Sequence, residues 1–384
     1  MSFERALDSA VLVINPTRYP GYVRLLKRLA KRRRIPQIVE TRDREHFAQS
    51  VREFCRGPYR YLLVWGGDGT AHLAINAMMS ADCDPGKAVG FLRGGSGNGI
   101  QDSYSIPYGL SRQIRTFAHS ISRDLTVSVD LLRVEDGGSP RYGQLLGLGF
   151  DAQVLARRER ADRRRRRSTG LAGYVRAGLQ VFFGPFFGER RPFHLSLSHG
   201  KYAYRGPRIN AEYSFEYLSR TTGAPLIELG TRPFYGKLFK VCPDVVCNDG
   251  NLDLYVFDIR GKQAIAMNMS VLWRGKHDVL NRRLIARRQG MIERYEVKRV
   301  DIESPSAFDY HVDGELLRTR SASAAAAVGA SAEGGAAGRA GGGEGVRGGG
   351  GRVSVSVVPG ALRFLVPERF YRLFHPFDFD AGFE

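Results

Sequence analysis

Gly66-Gly67-Asp68-Gly69-Thr70 separates an apolar run, Tyr61 to Trp65, from a second apolar pattern, Ala71 to Met79. The first run reads as a buried strand and the second as a helix. A strand that turns sharply into a helix over small residues aims backbone N–H groups at one point beside the helix N-terminus. That geometry suits a phosphate, and the glycines let it come close. Asp68 is the exception. Its charge repels an anion unless it binds a metal or takes up a proton. The same residues also fit a plain βα turn capped by Asp68 or Thr70.

The elements around this stretch repeat the pattern. Val11 to Ile14 reads as a strand that ends at Asn15-Pro16, and Tyr22 to Arg34 as a basic amphipathic helix. Gln37 to Glu40 and Val89 to Leu92 are further strands, with a helix over Arg44 to Cys55. Repeated βα alternation marks a mostly parallel sheet with helices on both faces. Ligands of such sheets bind beyond the carboxyl ends of the strands. The loops after Ile14, Trp65 and Leu92 fall there, the last reading Gly94-Gly95-Ser96-Gly97-Asn98-Gly99.

Near residue 125 the pattern changes. Thr126 to Val134, Tyr142 to Leu148, His194 to Ser198, Leu252 to Phe257, Val297 to Ile302 and Tyr310 to Val312 read as short strands with few helices between them. The expected fold class is α/β plus all-β: an α/β domain over 1–125, joined by the tail 367–384, and an antiparallel β-sandwich over 126–366. An arginine-rich run, Arg157 to Arg167, adjoins an apolar aromatic helix, Leu171 to Phe187. That pairing suits a membrane interface, or a solvated turn before a helix that packs on its own domain. Ser321 to Arg352 is almost all Ala, Gly and Ser, and is expected to be a disordered insertion within the second domain.

Lys and Arg number 58 against 39 Asp and Glu, a net charge of +19. So basic a chain points to a polyanionic partner. No RRM, KH or zinc-finger pattern supports nucleic acid, and the arginines are spread along the chain. Cys55, Cys83, Cys242 and Cys247 form no CxxC pair, so free or buried thiols in a reducing, cytoplasmic setting are expected. Glu4 and Asp8 interrupt the start of the chain, which is not read as a signal peptide. No apolar run reaches transmembrane length, so work at a membrane would be done from its surface.

Several further turns complete the set. Gly147-Leu148-Gly149-Phe150-Asp151-Ala152 formally fits a dinucleotide fingerprint, but it lies in the β-rich half and runs into arginines, so that reading is rejected. With Asp249-Gly250-Asn251-Leu252-Asp253, Val312-Asp313-Gly314-Glu315 and Pro359-Gly360-Ala361-Leu362, it follows GGDGT and GSGN in one order. That series resembles the diacylglycerol kinase catalytic-domain family of lipid kinases, which includes sphingosine and ceramide kinases. The likeness runs from Val11 to Pro367 apart from the Ala/Gly insertion, and Asn15-Pro16 and Gly275-Lys276-His277 share in it.

The resemblance implies an N-terminal nucleotide domain of the NAD kinase and phosphofructokinase type, with the active site in the cleft against the second domain. It implies ATP and Mg²⁺ as cofactors, a lipid alcohol of diacylglycerol or sphingoid type as substrate, and an anionic membrane surface as partner. The oligomeric state stays open, a homodimer included. Asn15, Thr17, Gly66, Gly67, Asp68, Gly69, Thr70, Gly95, Ser96, Gly97 and Asn98 would line the ATP site. Asp68, Asp313 and Glu315 would be catalytic. Asp68 and Asp313 each match a proposed general base in part of the family, and the choice between them stays open. Asp130 and Asp151 would face the acceptor. Asp249 matches a position linked to a structural Mg²⁺, or forms an ordinary Asp-Gly turn.

Three departures stand out. The family motif continues GGDGT-x-x-E, but Leu73 occupies the glutamate position. The first loop continues Thr17-Arg18-Tyr19-Pro20-Gly21, without the family's Ser-Gly or Gly-Lys, and the GSGN loop lacks a following aspartate. A relative that binds lipid or nucleotide without turnover is therefore the alternative reading.

Overall fold

The computed structural model describes residues 3–17, 19–165, 170–184, 190–205, 213–235, 239–320 and 350–376. Arg18, residues 321–349 of the Ala/Gly insertion and the tail from 377 lie outside them, as does part of the arginine run and its following helix.

A 3₁₀ turn, Phe3–Ser9, leads into β1 (Ala10–Ile14), α1 (Pro20–Arg32), β2 (Gln37–Glu40), α2 (Arg44–Arg56), β3 (Tyr61–Gly66), α3 (Asp68–Ser80), β4 (Ala88–Arg93), α4 (Gly99–Ser103) and α5 (Leu110–Ser122). β5 (Thr126–Glu135), β6 (Arg141–Gly143) and β7 (Leu145–Gly149) follow, then α6 (Phe150–Arg165) and α7 (Gly170–Phe183). Next come β8 (Phe193–Arg205), β9 (Ser214–Thr222), β10 (Leu226–Gly230), β11 (Leu252–Ile259), α8 (Lys262–Trp273) and α9 (His277–Ala286). The chain closes with β12 (Gly290–Ser304), β13 (Asp309–Val312), β14 (Glu315–Arg318), β15 (Gly351–Leu365) and α10 (Glu368–Tyr371).

β1, β3 and β4 are apolar on both faces and buried along their length, as strands covered by helices on both sides must be. They pair in parallel in the order β2-β1-β3-β4. Local signals set the helices. Pro20 opens α1, where its missing N–H costs nothing. Asp43 caps α2 by accepting the N–H of His46 at 2.8 Å. The chain reverses direction of travel across the sheet between β1 and β3, so the loops after Ile14 and Gly66 lie side by side at the switch point.

The expected break at residue 125 is not a break in the sheet. One hydrogen-bonded sheet runs β14-β13-β7-β10-β11-β12-β15-β4-β3-β1-β2, with β5 and β6 attached through β15, and β8 and β9 through β12. β15 makes the join: Arg363 and Phe364 pair in parallel with Ala88 and Val89 of β4. β5 and β15 therefore belong to two cores. Val127, Val129 and Leu131 pack in the first with Phe364 and Leu365, while Leu132 and Val134 pack in the second with Val353 and Val355. A third core lies under α8 and α9, around Tyr255, Phe257 and Leu280.

Two other expectations change. The strand read over Tyr142 to Leu148 is split at Gln144, whose backbone N–H is drawn to a buried carboxylate described below. Cys55 and Cys83 form a disulfide instead of free thiols, because the end of α2 and the turn after α3 bring their Cα atoms to 4.8 Å. Cys242 and Cys247 are free and buried. Among the described residues no helix is long and apolar enough to cross a membrane.

Candidate active site

Two glycine loops meet at the carboxyl ends of β3 and β4. Gly94 donates its N–H to the Gly66 carbonyl at 2.9 Å, and Asp68 donates to the Gly97 carbonyl at 3.3 Å. A Cβ on Gly67 would stand 2.8 Å from both the Gly95 Cα and the Gly97 oxygen. Side chains cannot fit between these loops, so the cradle presents backbone. Asn98 closes the second loop on itself, its amide accepting from the Gly95 N–H and donating to the Gly95 carbonyl at 2.8 Å. Buried Gln101 donates to the carbonyls of Gly66 and Leu92, fastening the two strand ends. Ser96 and Gly97 stand at the partly exposed rim, and Gly69 is exposed at the start of α3.

The first loop joins them. The Asn15 amide donates to Thr70 Oγ1 at 2.9 Å, and its oxygen accepts the Thr17 hydroxyl at 2.6 Å. Asn15, Thr17, the GGDGT residues and the GSGN residues are thus one contiguous surface. Asp68 opens α3, and its carboxylate accepts the Ile100 N–H at 3.1 Å. Burial raises its pKa from its ordinary value, against the pull of Arg232 and of the N–H groups of Gly99 and Ile100.

Asp313 comes to this surface from the far side of the sheet. It and Gly314 both have positive φ, +49° and +86°, and form the two-residue hairpin between β13 and β14. Asp-Gly is favoured there because both residues must be left-handed. The turn drives the Asp313 side chain fully out of solvent, where its oxygens accept from the N–H groups of Gln144 and Leu145, from Arg232 Nη2 at 3.1 Å and from His72 Nδ1 at 3.3 Å. Burial alone would raise its pKa. The Arg232 guanidinium and His72 override that and hold it at about 2. Glu315, at the other end of the turn, is partly exposed and meets Arg44 at 3.2 Å and His72 Nε2 at 3.3 Å.

His72 and Arg232 were not among the expected site residues. His72 sits four residues after Asp68, on the same helical face, and that i+4 spacing was the available signal. Arg232 is buried, and its charge acts on both Asp68 and Asp313. Leu73, in the glutamate position of the motif, packs against the first core. The contact from α3 to the hairpin is made by the residue just before it.

The remaining expected residues fall elsewhere. Asp130 accepts the N–H of Gly250 at 2.6 Å and of Gly360 at 2.8 Å, so its carboxylate ties two turns together. Asp249 is exposed and closes its own turn by accepting the Asn251 N–H at 2.9 Å. Asp151 lies at the start of α6 against His311 Nε2. In register across the sheet, Gly147 of β7 stands between Glu228 of β10 and His311 of β13. With no side chain at Gly147, a hole opens there that the Asp151 carboxylate fills. A Cβ at 147 would stand 2.6 Å from both Glu228 Oε1 and His311 Nε2. Asp151, Glu228 and His311 each offer a ligand atom within 4.8 Å of the others, the one such group of three among the described residues. Burial and the Asp151 charge push the pKa of Glu228 far up, while His311 outweighs burial to hold that of Asp151 down.

Residues 10–134 match the family model of the diacylglycerol kinase catalytic domain. That segment, about a third of the chain, is similar to a diacylglycerol kinase catalytic domain. A Staphylococcus carnosus protein provisionally named a lipid kinase is 24% identical to the chain over 267 residues, 68% of this chain and 76% of that protein. An uncharacterised protein of Synechocystis sp. is 29% identical over 120 residues, 31% of this chain and 24% of that protein, so the chain spans about a quarter of that relative's length. Among solved structures, a protein from Bacillus anthracis str. Sterne provisionally assigned as a diacylglycerol kinase superposes with a TM-score of 0.59 at 15% identity, over 94% of this chain and 96% of that one. A diacylglycerol kinase structure from the same organism gives 0.57 at 13% identity, over 94% and 97%. At these identities the structural likeness is one of fold. The match to the family model ends at residue 134 inside β5, a strand shared by both cores.

Proposed function

We propose that the protein is an ATP-dependent lipid kinase that transfers the γ-phosphate to the hydroxyl of a membrane lipid of diacylglycerol or sphingoid type. One observation carries this: Asp68 of the glycine cradle and Asp313 of the distant hairpin share Arg232 and are bridged through α3 by His72. A plain βα turn has no need of a buried guanidinium and a second carboxylate. The cradle fits a triphosphate because its opposed glycines leave backbone facing outward. Mg²⁺ would find a hard oxygen donor in the partly exposed carboxylate of Glu315, next to His72 of α3, and would neutralise charge on the phosphates.

The electrostatics divide the carboxylates. A general base works best with a pKa near the working pH. Asp313, at about 2 and with both oxygens occupied by donors, is a weak base, so its role is to hold Arg232 and His72 in place. Asp68, raised by burial, is the better acceptor for the proton of the lipid hydroxyl. As that proton moves to Asp68, the hydroxyl oxygen bonds to the γ-phosphorus, the bond to the bridging oxygen breaks, and ADP leaves with the electron pair.

The test is transfer of ³²P from ATP to diacylglycerol, monoacylglycerol, sphingosine or ceramide in vesicles, with and without Asp68→Asn. One lipid should be labelled by the wild type and not by the variant. ATP binding with no labelled lipid in the panel would overturn the reading in favour of a binding protein without turnover.

A further inference from the structure

Helix α8 is apolar on both sides. Its inner stripe, Ala264, Ile265, Asn268 and Leu272, is buried in the third core. Its outer side should be charged if it faced only water. Instead Met267, Met269 and Trp273 stand out, 65%, 41% and 45% exposed, with Arg274 as the charge at the end. Ala266 and Ser270 line the shallow groove between them. The end of α7 also carries exposed Leu179 and Phe183, and Lys262 fastens it to the start of α8 by donating to the Gly184 carbonyl at 2.9 Å.

Helix α9 supplies the opposite character. It packs beside α8, with Arg283 Nη1 donating to Asn268 Oδ1 at 3.3 Å. Its exposed side carries Arg282 and Arg283, followed by Arg287 and Arg288, against one acid, Asp278, which pairs with Arg282 at 2.9 Å. Methionine and tryptophan adapt to a disordered apolar boundary, and arginines beside them bind phosphate headgroups.

We propose that α8 and α9 form the face by which the protein docks on an anionic bilayer, with Met267, Met269 and Trp273 entering the headgroup boundary and the α9 arginines on lipid phosphates. The inference rests on the reading of the acceptor as a membrane lipid. A second copy of the chain is a poor occupant. A two-fold contact through this face would bring the α9 arginines of both copies together, on a protein of net charge +19.

Tryptophan emission tests this directly. The chain has two tryptophans, and Trp65 is buried in the first core, so Trp273 reports the surface. On vesicles of phosphatidylcholine with phosphatidylglycerol, the emission should shift to the blue and be quenched by brominated acyl chains. Phosphatidylcholine alone should do neither. Arg282→Glu with Arg287→Glu should weaken vesicle binding by about tenfold or more, and salt should do the same to the wild type. Met267→Ser with Met269→Ser should reduce the quenching while leaving the circular dichroism unchanged. No vesicle binding, binding with Trp273 unquenched, or a dimer in sedimentation velocity that shields Trp273 would each overturn the proposal. Phosphoryl transfer to a monomeric short-chain acceptor, measured without vesicles, keeps the two readings apart. If it persists while docking fails, this inference falls alone. If Trp273 docks and no acceptor is labelled, the kinase reading falls and this one stands.

Discussion

Nδ1 of His72 lies 3.3 Å from Oδ2 of Asp313, across 241 positions of sequence. Asp313 is held ionised at about 2, so its carboxylate can only accept, and the proton of the pair belongs on Nδ1. Nε2 then faces Glu315 at 3.3 Å. The ring fixes the hairpin turn relative to the helix that opens with Asp68. His72→Ala should therefore lower kcat by about tenfold to a hundredfold through misplacement, with a much smaller change in KM for ATP. His72→Asn, which can still donate toward Asp313, should recover part of the loss. Steady-state kinetics on the labelled lipid check this. Equal losses in both variants would remove the hydrogen bond from the argument.

Asp68 and Asp313 should fail in different ways. Asp68→Asn removes the proton acceptor and should reduce kcat by about 10² to 10⁴ with little loss of fold. Asp313→Asn leaves the Arg232 charge buried without its partner and should destabilise the protein by about 3–5 kcal/mol, seen as a lower Tm. The acid limb of the kcat profile should titrate above the ordinary aspartate value, following the raised Asp68. A limb near pH 2 would move the base to Asp313.

The glycines of the cradle divide into those the fold requires and those a ligand would require. A Cβ on Gly95 would stand 2.7 Å from the Gly97 carbonyl and press on the Gly67 backbone, so Gly95→Ala should cost about 1–3 kcal/mol. A Cβ on Gly69 would have nothing within 4 Å. Gly69→Ala, in the first turn of α3, should leave stability unchanged or raise it by about 0.5–1 kcal/mol. Yet it narrows the approach to the helix N-terminus and should weaken ATP binding. Thermal melts and nucleotide titration of the same two variants separate these effects. Unchanged ATP affinity in Gly69→Ala would place the phosphates elsewhere.

The parts of this site that were legible in the sequence are local ones. Gly66 to Thr70 and Gly95 to Asn98 announce themselves because a strand, a small-residue turn and a helix follow each other within a dozen residues, and Asp313-Gly314 because its turn type demands those residues. What could not be read depends on register and on the path of the sheet. Glu228 and His311 meet because both pair with Gly147, a fact of strand alignment. A charged residue inside the apolar run Leu226 to Leu229 was the one sign of it. The Asp130 carboxylate reaches Gly250 and Gly360 only because β5 and β15 pair, and Cys55 reaches Cys83 only because α2 and α3 pack together. The continuity of the sheet past residue 125 was hidden for the same reason: a change in composition marks where helices stop, and β15 returns to pair with β4 beyond it.

His277 should make the fold sensitive to acid. It is buried in the third core region edge-on against the rings of Tyr255 and Phe257, at centroid distances of 5.5 and 5.4 Å. Burial lowers its pKa from 6.5 to about 3, and the nearby Asp278 raises it only slightly in return. The unfolded chain therefore binds the proton more readily than the folded one. The stability this contributes is present above pH 6.5 and is lost as the pH falls toward 3, at up to about 1.4 kcal/mol per pH unit. His277→Phe keeps an aromatic ring at the site and removes the titration. Subtracting its denaturation curve against pH from that of the wild type cancels the carboxylates common to both. The difference should be flat above pH 6.5 and should fall steadily from there to pH 4. A difference that stays flat across that interval would mean that His277 reaches water in the folded protein and is not sealed in the core.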